Sequence, residues 1–255
     1  MTPLCRLWFS AARMSTRADK MRVRAPAKIN LYLEVLGKRK NGYHNIRSVV
    51  MPISLMDVLE LEKTPHAVVT VVKNGGCGAG SQLCLTKSSD NLATLAAMAL
   101  KKATGYSGGA RITLEKNVPV GGGLGGGSAD AAAVLIALNE LWQTGLERKD
   151  LIKIGAEVGC DIPALVHGGV VLMEGIGERV SPVPAAARHG WWVVLANPGF
   201  HVSTKDIYAR CKTGLTSDDR NIDSIVSALK NGDVDLAGRH LFNGLQATVF
   251  RKYPL

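Results

Sequence analysis

The sequence predicts an α+β fold of two domains, and three observations predict it. Runs that read as strands cluster early in the chain. A long Ala- and Leu-rich helical stretch, Ser128 to Trp142, follows a dense glycine run. Helices and strands then mix through the remainder. At 255 residues the chain is long enough for one large domain or two ordinary ones. The boundary is expected between Gly168 and Glu174, which divides the chain into 21–172 and 173–255.

The elements follow in order. Ala27, Ile29, Leu31, Leu33 and Val35 alternate with Lys28, Asn30, Tyr32 and Glu34. Period two means a half-buried strand, so Lys28 and Asn30 share its non-core face. The runs AVVTVVK and QLCLT flank NGGCGAGS and read as a hairpin-like pair. Asp90 is placed to cap a helix whose inner face is Leu92, Leu95, Ala96 and Ala99. That helix closes with Lys101, Lys102 and Gly105. ARITLEK is the next strand. The helix after the glycines takes Ser128 as its cap, and another runs from Arg148 to Val158 and stops at Gly159. GGVVLME and WWVVLAN are expected as strands, and two or three helices finish the chain.

The chain is 46% hydrophobic and 20% charged, the balance of a soluble globular protein. No apolar run reaches the roughly 18 residues a membrane span needs. The net charge of +10 is unevenly spread. Residues 21–47 hold seven basic side chains against Glu34, whereas the 208 residues that follow are close to balanced. One local basic region suits an anionic ligand rather than a nucleic-acid coat. Lys38, Arg39 and Lys40 within it read as a solvated loop. Five cysteines with no CxxC pair fit a reduced, cytoplasmic protein. Residues 1–20 differ in character and are expected to be an extension, with Met14 or Met21 as the first residue. A plastid location would follow only if they belong to a transit peptide.

The richest local feature is PVGGGLGGGSADAA, Pro119 to Ala132. Gly121, Gly123 and Gly126 satisfy GxGxxG, but Asn117-Val118-Pro119 intervene after the strand. No strand-ending acid follows at the distance a dinucleotide fold requires, and no GxxxxGK[ST] exists. The physical content survives both exclusions. Bare backbone lets N–H groups approach a phosphate, and the helix that follows points its free N–H groups at the same place. Asp130 in the first turn would repel phosphate and is expected to face outward. Asp161, after Gly159-Cys160 and before Ile162-Pro163, reads locally as a helix N-cap. The remaining histidines have no metal-ligand spacing, and no metal ligands are assigned.

PVGGGLGGGSADAA resembles the second motif of the galactokinase, homoserine kinase, mevalonate kinase and phosphomevalonate kinase superfamily. APAKINLYLEVLGKRKNGYH, DNL, GCDIP, GIGERVSPV and NPGFHVST resemble its branch that acts on a cytidine diphosphate-linked methylerythritol. The resemblance runs from about residue 21 to the end. It implies a ribosomal-protein-S5-domain-2-like N-terminal domain and a ferredoxin-like C-terminal domain, incomplete here because the family's late glycine-rich segment is absent. It implies ATP-dependent phosphorylation of the acceptor's 2-hydroxyl in non-mevalonate isoprenoid precursor biosynthesis, with ATP and Mg²⁺.

By the same resemblance Asp161 is the catalytic base and Lys28 the cation beside it. Pro119, Gly121, Gly122, Gly123, Leu124, Gly125, Gly126, Gly127 and Ser128 cradle the phosphates, and Asn91 lies near the adenine. Asn30, Tyr43, His44, Thr204 and Tyr208 bind the acceptor, with Tyr43 and Tyr208 sandwiching the cytosine. The expected partner is this small molecule, not nucleic acid or membrane, and the protein a monomer or weak homodimer. Two alternatives stay open: an inactive nucleotide-binding fragment, and a related kinase with another acceptor.

Overall fold

A computed structural model describes residues 13–17, 19–74, 90–184, 186, 190–199, 202–211 and 221–254. Two long antiparallel strands, β2 (Lys20–Lys38) and β3 (His44–Thr64), form its spine. Met21, Val23 and Ala25 point inward while Arg22 and Arg24 point out, which is the alternation a one-sided strand requires. Arg22 stands opposite Glu60 on β3, and Lys20 reaches the same carboxylate at 2.8 Å. Part of the basic run is thus met by acids of the neighbouring strand.

Register shifts lie between Pro26 and Lys28, between Asn30 and Tyr32, and between Val35 and Gly37. Each re-aims the side chains after it. This is why Tyr32 is 1% exposed although simple alternation places it outside. β1 (Arg13–Arg17) pairs antiparallel with the start of β2, so part of the expected extension belongs to the sheet.

β3 carries two different neighbours along its length. Its second half pairs with β5 (Gly109–Lys116), and its first half with β6 (Val171–Gly175), which pairs with β7 (Arg179–Pro182). β4 (Val68–Asn74) lies parallel to β5 at the sheet edge. The QLCLT partner expected for it lies outside the described residues. β8 (Phe242–Asn243) adds two residues beside β2.

Four helices cover one end: α1 (Leu92–Thr104), α2 (Gly126–Leu141), α3 (Arg148–Val158) and α4 (Ile162–His167). Their core joins Leu59, Leu61, Ile112 and Leu114 of the sheet to Leu100, Leu135 and Leu138, all at most 1% exposed. Each such side chain contributes about 1.5–3 kcal/mol through burial. At the other end, Tyr32 and Leu33 point to opposite faces and enter separate clusters. The Tyr32 cluster is closed by Ile222, Ile225 and Leu229 of α6 (Ile222–Asn231).

Several expectations need correction. The cap of α1 is Asn91, whose side chain accepts from Ala93 N–H at 2.9 Å, not Asp90. The buried face of α1 is Ala93, Ala96, Ala97 and Leu100, with Leu95 outward, because alanines permit close approach to the Ala-rich α2. α2 begins at Gly126 with left-handed Gly125 as its cap, so Ser128 lies inside the first turn and caps nothing. WWVVLAN forms no strand. No described strand lies beside it, and Trp192 is 99% and Val194 96% exposed. Four described helices, not two or three, end the chain: α5 (Thr204–Arg210), α6, α7 (Val234–Arg239) and α8 (Gln246–Lys252).

Candidate active site

The site forms where β2, the glycine loop and the start of α4 meet. Lys28 is 6% exposed, and its ammonium stands 3.5 Å from the Asp161 carboxylate. It donates to Asn30 Oδ1 at 2.7 Å, as expected of two residues on one strand face. Asn30 in turn donates through Nδ2 to Ser48 Oγ at 2.8 Å, and the Ser48 hydroxyl donates to the Tyr32 carbonyl at 2.6 Å. Asp161 holds the N-cap position of α4, yet its side chain makes no cap hydrogen bond. The carboxylate that local sequence assigns to capping is directed to Lys28 instead.

The glycine loop is tied to this pair through the backbone. Lys28 N–H donates to the Leu124 carbonyl at 2.9 Å. Gly125 has φ +66°, and a Cβ there would lie 2.8 Å from Lys28 Cε and 2.9 Å from its Cγ. The lysine stem thus lies directly on the loop, at a distance only glycine allows. Gly121 and Gly123 also have positive φ. The first α-helical bond of α2 runs from Ala129 N–H to the Gly125 carbonyl at 2.8 Å, which leaves the N–H groups of Gly126, Gly127 and Ser128 without helical partners. Dipole and orphan donors face the region beside Lys28, an arrangement that fits an anionic phosphate. A Cβ on Gly127 would meet Leu92 at 3.4 Å, which sets the start of α1, and Asn91 with it, beside the loop.

Beneath the loop lies a charge cluster that sequence reasoning missed. Lys116 donates to Asp57 Oδ2 and, at 2.8 Å, to Asp130 Oδ2. Asp57 Oδ1 accepts from the N–H groups of Asn117 and Val118 at 2.6 and 2.8 Å. Asp130 therefore faces inward, 2% exposed, not outward, because a lysine at the end of β5 receives it. Burial pushes the Asp130 carboxyl well up, Lys116 works against that, and Asp57 adds to it. Burial alone would lower Lys116, but the two carboxylates outweigh it and hold the ammonium above its ordinary value. Buried Asp130 facing the end of the preceding strand was not legible without knowing that β5 ends beneath α2.

The expected acceptor residues divide. Tyr43 is 53% exposed on the turn between β2 and β3. The ring that meets Tyr208 is His44, at 5.5 Å between centroids and 32° between planes. The register puts consecutive residues of β3 on opposite sides, and His44 takes the inward position. Burial and then Lys38 lower the His44 imidazole from its usual value. Burial, followed by Asp161 and Cys160, raises the Tyr208 phenol. Thr204 is exposed at the first turn of α5. The side-chain oxygen of Asn91 is engaged in capping. The segment bearing Asn197 reaches the loop as well: Val202 N–H donates to the Gly121 carbonyl at 3.3 Å, and Asn197 Nδ2 lies 3.5 Å from the Cβ position of Gly122. Among the described residues no group of three or more His, Cys, Asp or Glu is placed to hold a metal ion, and no helix is long and apolar enough to cross a membrane.

A glycine loop that fits phosphate without a Walker lysine, joined to a lysine–aspartate pair on an α+β frame, points to a small-molecule kinase of the GHMP type. Residues 91–169 match the family model of the GHMP kinases N terminal domain. A 4-diphosphocytidyl-2-C-methyl-D-erythritol kinase of Caldicellulosiruptor bescii is 36% identical over 242 residues, covering 92% of this chain and 79% of that protein. One of Shewanella baltica is 42% identical over 186 residues, covering 72% of this chain and 61% of that protein. A crystal structure of a 4-(cytidine 5'-diphospho)-2C-methyl-D-erythritol kinase superposes with a TM-score of 0.64 at 32% identity, over 92% of this chain and 79% of the other. The chain belongs to the 4-diphosphocytidyl-2-C-methyl-D-erythritol kinase family.

Proposed function

We propose that this chain transfers the γ-phosphoryl group of ATP to the 2-hydroxyl of 4-diphosphocytidyl-2-C-methyl-D-erythritol, a step of non-mevalonate isoprenoid precursor biosynthesis. The observation that carries the reading is the Lys28–Asp161 pair at 3.5 Å, directly against the glycine loop.

Phosphoryl transfer asks the protein for positioning and charge stabilisation more than for covalent chemistry. Asp161, relieved of capping, accepts the proton of the attacking hydroxyl, a role worth about 10²–10⁴ in rate. Lys28 faces the developing alkoxide from the same side as Asp161, and its ammonium is fixed by Asn30 rather than by solvent. The N–H groups of Gly126, Gly127 and Ser128, with the loop from Pro119 to Gly125, receive the phosphates. Mg²⁺, when bound with ATP, neutralises phosphate charge. The half-buried Ser128 hydroxyl would be the residue to contact it, with water and phosphate oxygens supplying the other ligands. His44, Tyr208, Tyr43, Thr204 and Asn30 line the acceptor side. The proposal extends to a cytoplasmic monomer or weak homodimer.

The test is turnover with γ-labelled ATP against 4-diphosphocytidyl-2-C-methyl-D-erythritol, mevalonate and homoserine. Label is expected in the first acceptor alone. Label in mevalonate or homoserine instead, or tight ATP binding with no transfer to any, contradicts the assignment.

A further inference from the structure

We propose that Ser48 is a positioning residue for the reaction: it locks the Asn30 amide in the one orientation that holds the Lys28 ammonium. The inference rests on the functional reading above, in which Lys28 is the fixed cation.

Which groups can donate fixes the orientation of the Asn30 amide. Ser48 is on β3, 0% exposed, across from β2 where the register shifts between Asn30 and Tyr32. That shift brings the Tyr32 carbonyl within 2.6 Å of Ser48 Oγ. A carbonyl only accepts, so the single hydroxyl proton of Ser48 is committed to it. Ser48 Oγ then has only lone pairs to offer Asn30, and the Asn30 group that faces it at 2.8 Å must be the NH₂. The amide oxygen is thereby turned to Lys28 Nζ at 2.7 Å. Lys28 carries three donors and no acceptor, so the far end demands the same orientation. Both ends of the relay enforce one amide setting, and neither can be satisfied by the flipped one. Without Ser48 the NH₂ of Asn30 loses its buried acceptor, and the amide setting is held from the Lys28 end alone, so Asn30 is fixed at one end instead of two. With Asn30 less firmly set, the ammonium is positioned chiefly by Asp161 at 3.5 Å and loses the precise placement that the relay provides. No motif marks Ser48, because its role exists only through the shifted pairing of two strands.

The test is a double-mutant cycle on turnover with Ser48→Ala, Asn30→Ala and the double variant, alongside ATP titration and a crystal structure of Ser48→Ala. Ser48→Ala is expected to lower kcat about three- to tenfold, the effect of one net hydrogen bond, with ATP affinity within about twofold of the parent. In the Asn30→Ala background the same change is expected to add less than about twofold, since its only route to Lys28 is gone. An equal kcat loss in both backgrounds, or none in either, overturns the proposal. A purely structural Ser48 would lower the melting temperature and leave kcat alone, which also overturns it. If the parent protein transfers phosphate to no acceptor, the functional reading fails, and the crystal structure still decides the relay. Lys28 Nζ released from Asn30 Oδ1 supports it, and the 2.7 Å contact kept in Ser48→Ala refutes it.

Discussion

Lys116 sits 7% exposed between two carboxylates and holds three stretches of chain at once. Asp57 comes from the long strand β3, Lys116 from the end of β5, and Asp130 from the second turn of α2. Through Asp57 the cluster also receives the N–H groups of Asn117 and Val118, the two residues that lead into the glycine loop. Its members are mutually dependent: removing the lysine leaves two buried carboxylates facing each other with no counter-charge. Breaking a buried pair in this way costs about 3–5 kcal/mol. Lys116→Met is expected to lose stability on that scale in denaturant unfolding at neutral pH, whereas Lys149→Met, at an ion pair whose side chains are 69% exposed, is expected to be near neutral. Equal, small effects for both would contradict the role given to the cluster.

At the scale of elements, the passage from β5 through the glycine loop into α2 is the decisive construction. The loop spends backbone freedom at Gly121, Gly123 and Gly125, all with positive φ, and converts it into a lysine stem resting on the loop and three free N–H groups. Gly125→Ala is expected to cost about 1–2 kcal/mol from its left-handed backbone alone. Its new Cβ would also displace Lys28, whose Nζ is held by Asn30 and Asp161 and has no slack to yield. Calorimetric titration of ATP and steady-state turnover should therefore show affinity and kcat falling together. An unchanged kcat would contradict the contact.

Elements defined by local composition were legible in the sequence: the glycine run, α2, α3 with its stop at Gly159, and the shared face of Lys28 and Asn30. What escaped was set by partners distant along the chain. Asp130 turned inward because Lys116 awaits it, and His44 met Tyr208 because the first position of β3 is a buried one. WWVVLAN has the residues of a strand, but a strand exists only beside another. Ser128 lost the cap to a left-handed Gly125, a geometry that a string of glycines does not disclose.

For the whole molecule, one sheet carries both halves of the site. β2 supplies Lys28 and Asn30, β3 supplies Ser48 and Asp57, and the helices on one face deliver the glycine loop and Asp161. His44, the first residue of β3, meets Tyr208 of α5. Lys28 lies against the glycine loop through its stem and reaches Asp161 through its ammonium, so it joins the two parts. The most direct measurement of the central claim is Asp161→Asn, followed by ATP titration and by transfer of labelled phosphate to 4-diphosphocytidyl-2-C-methyl-D-erythritol. ATP affinity is expected to stay close to that of the parent, and turnover to fall by at least about 10². Turnover near the parent level would contradict the claim.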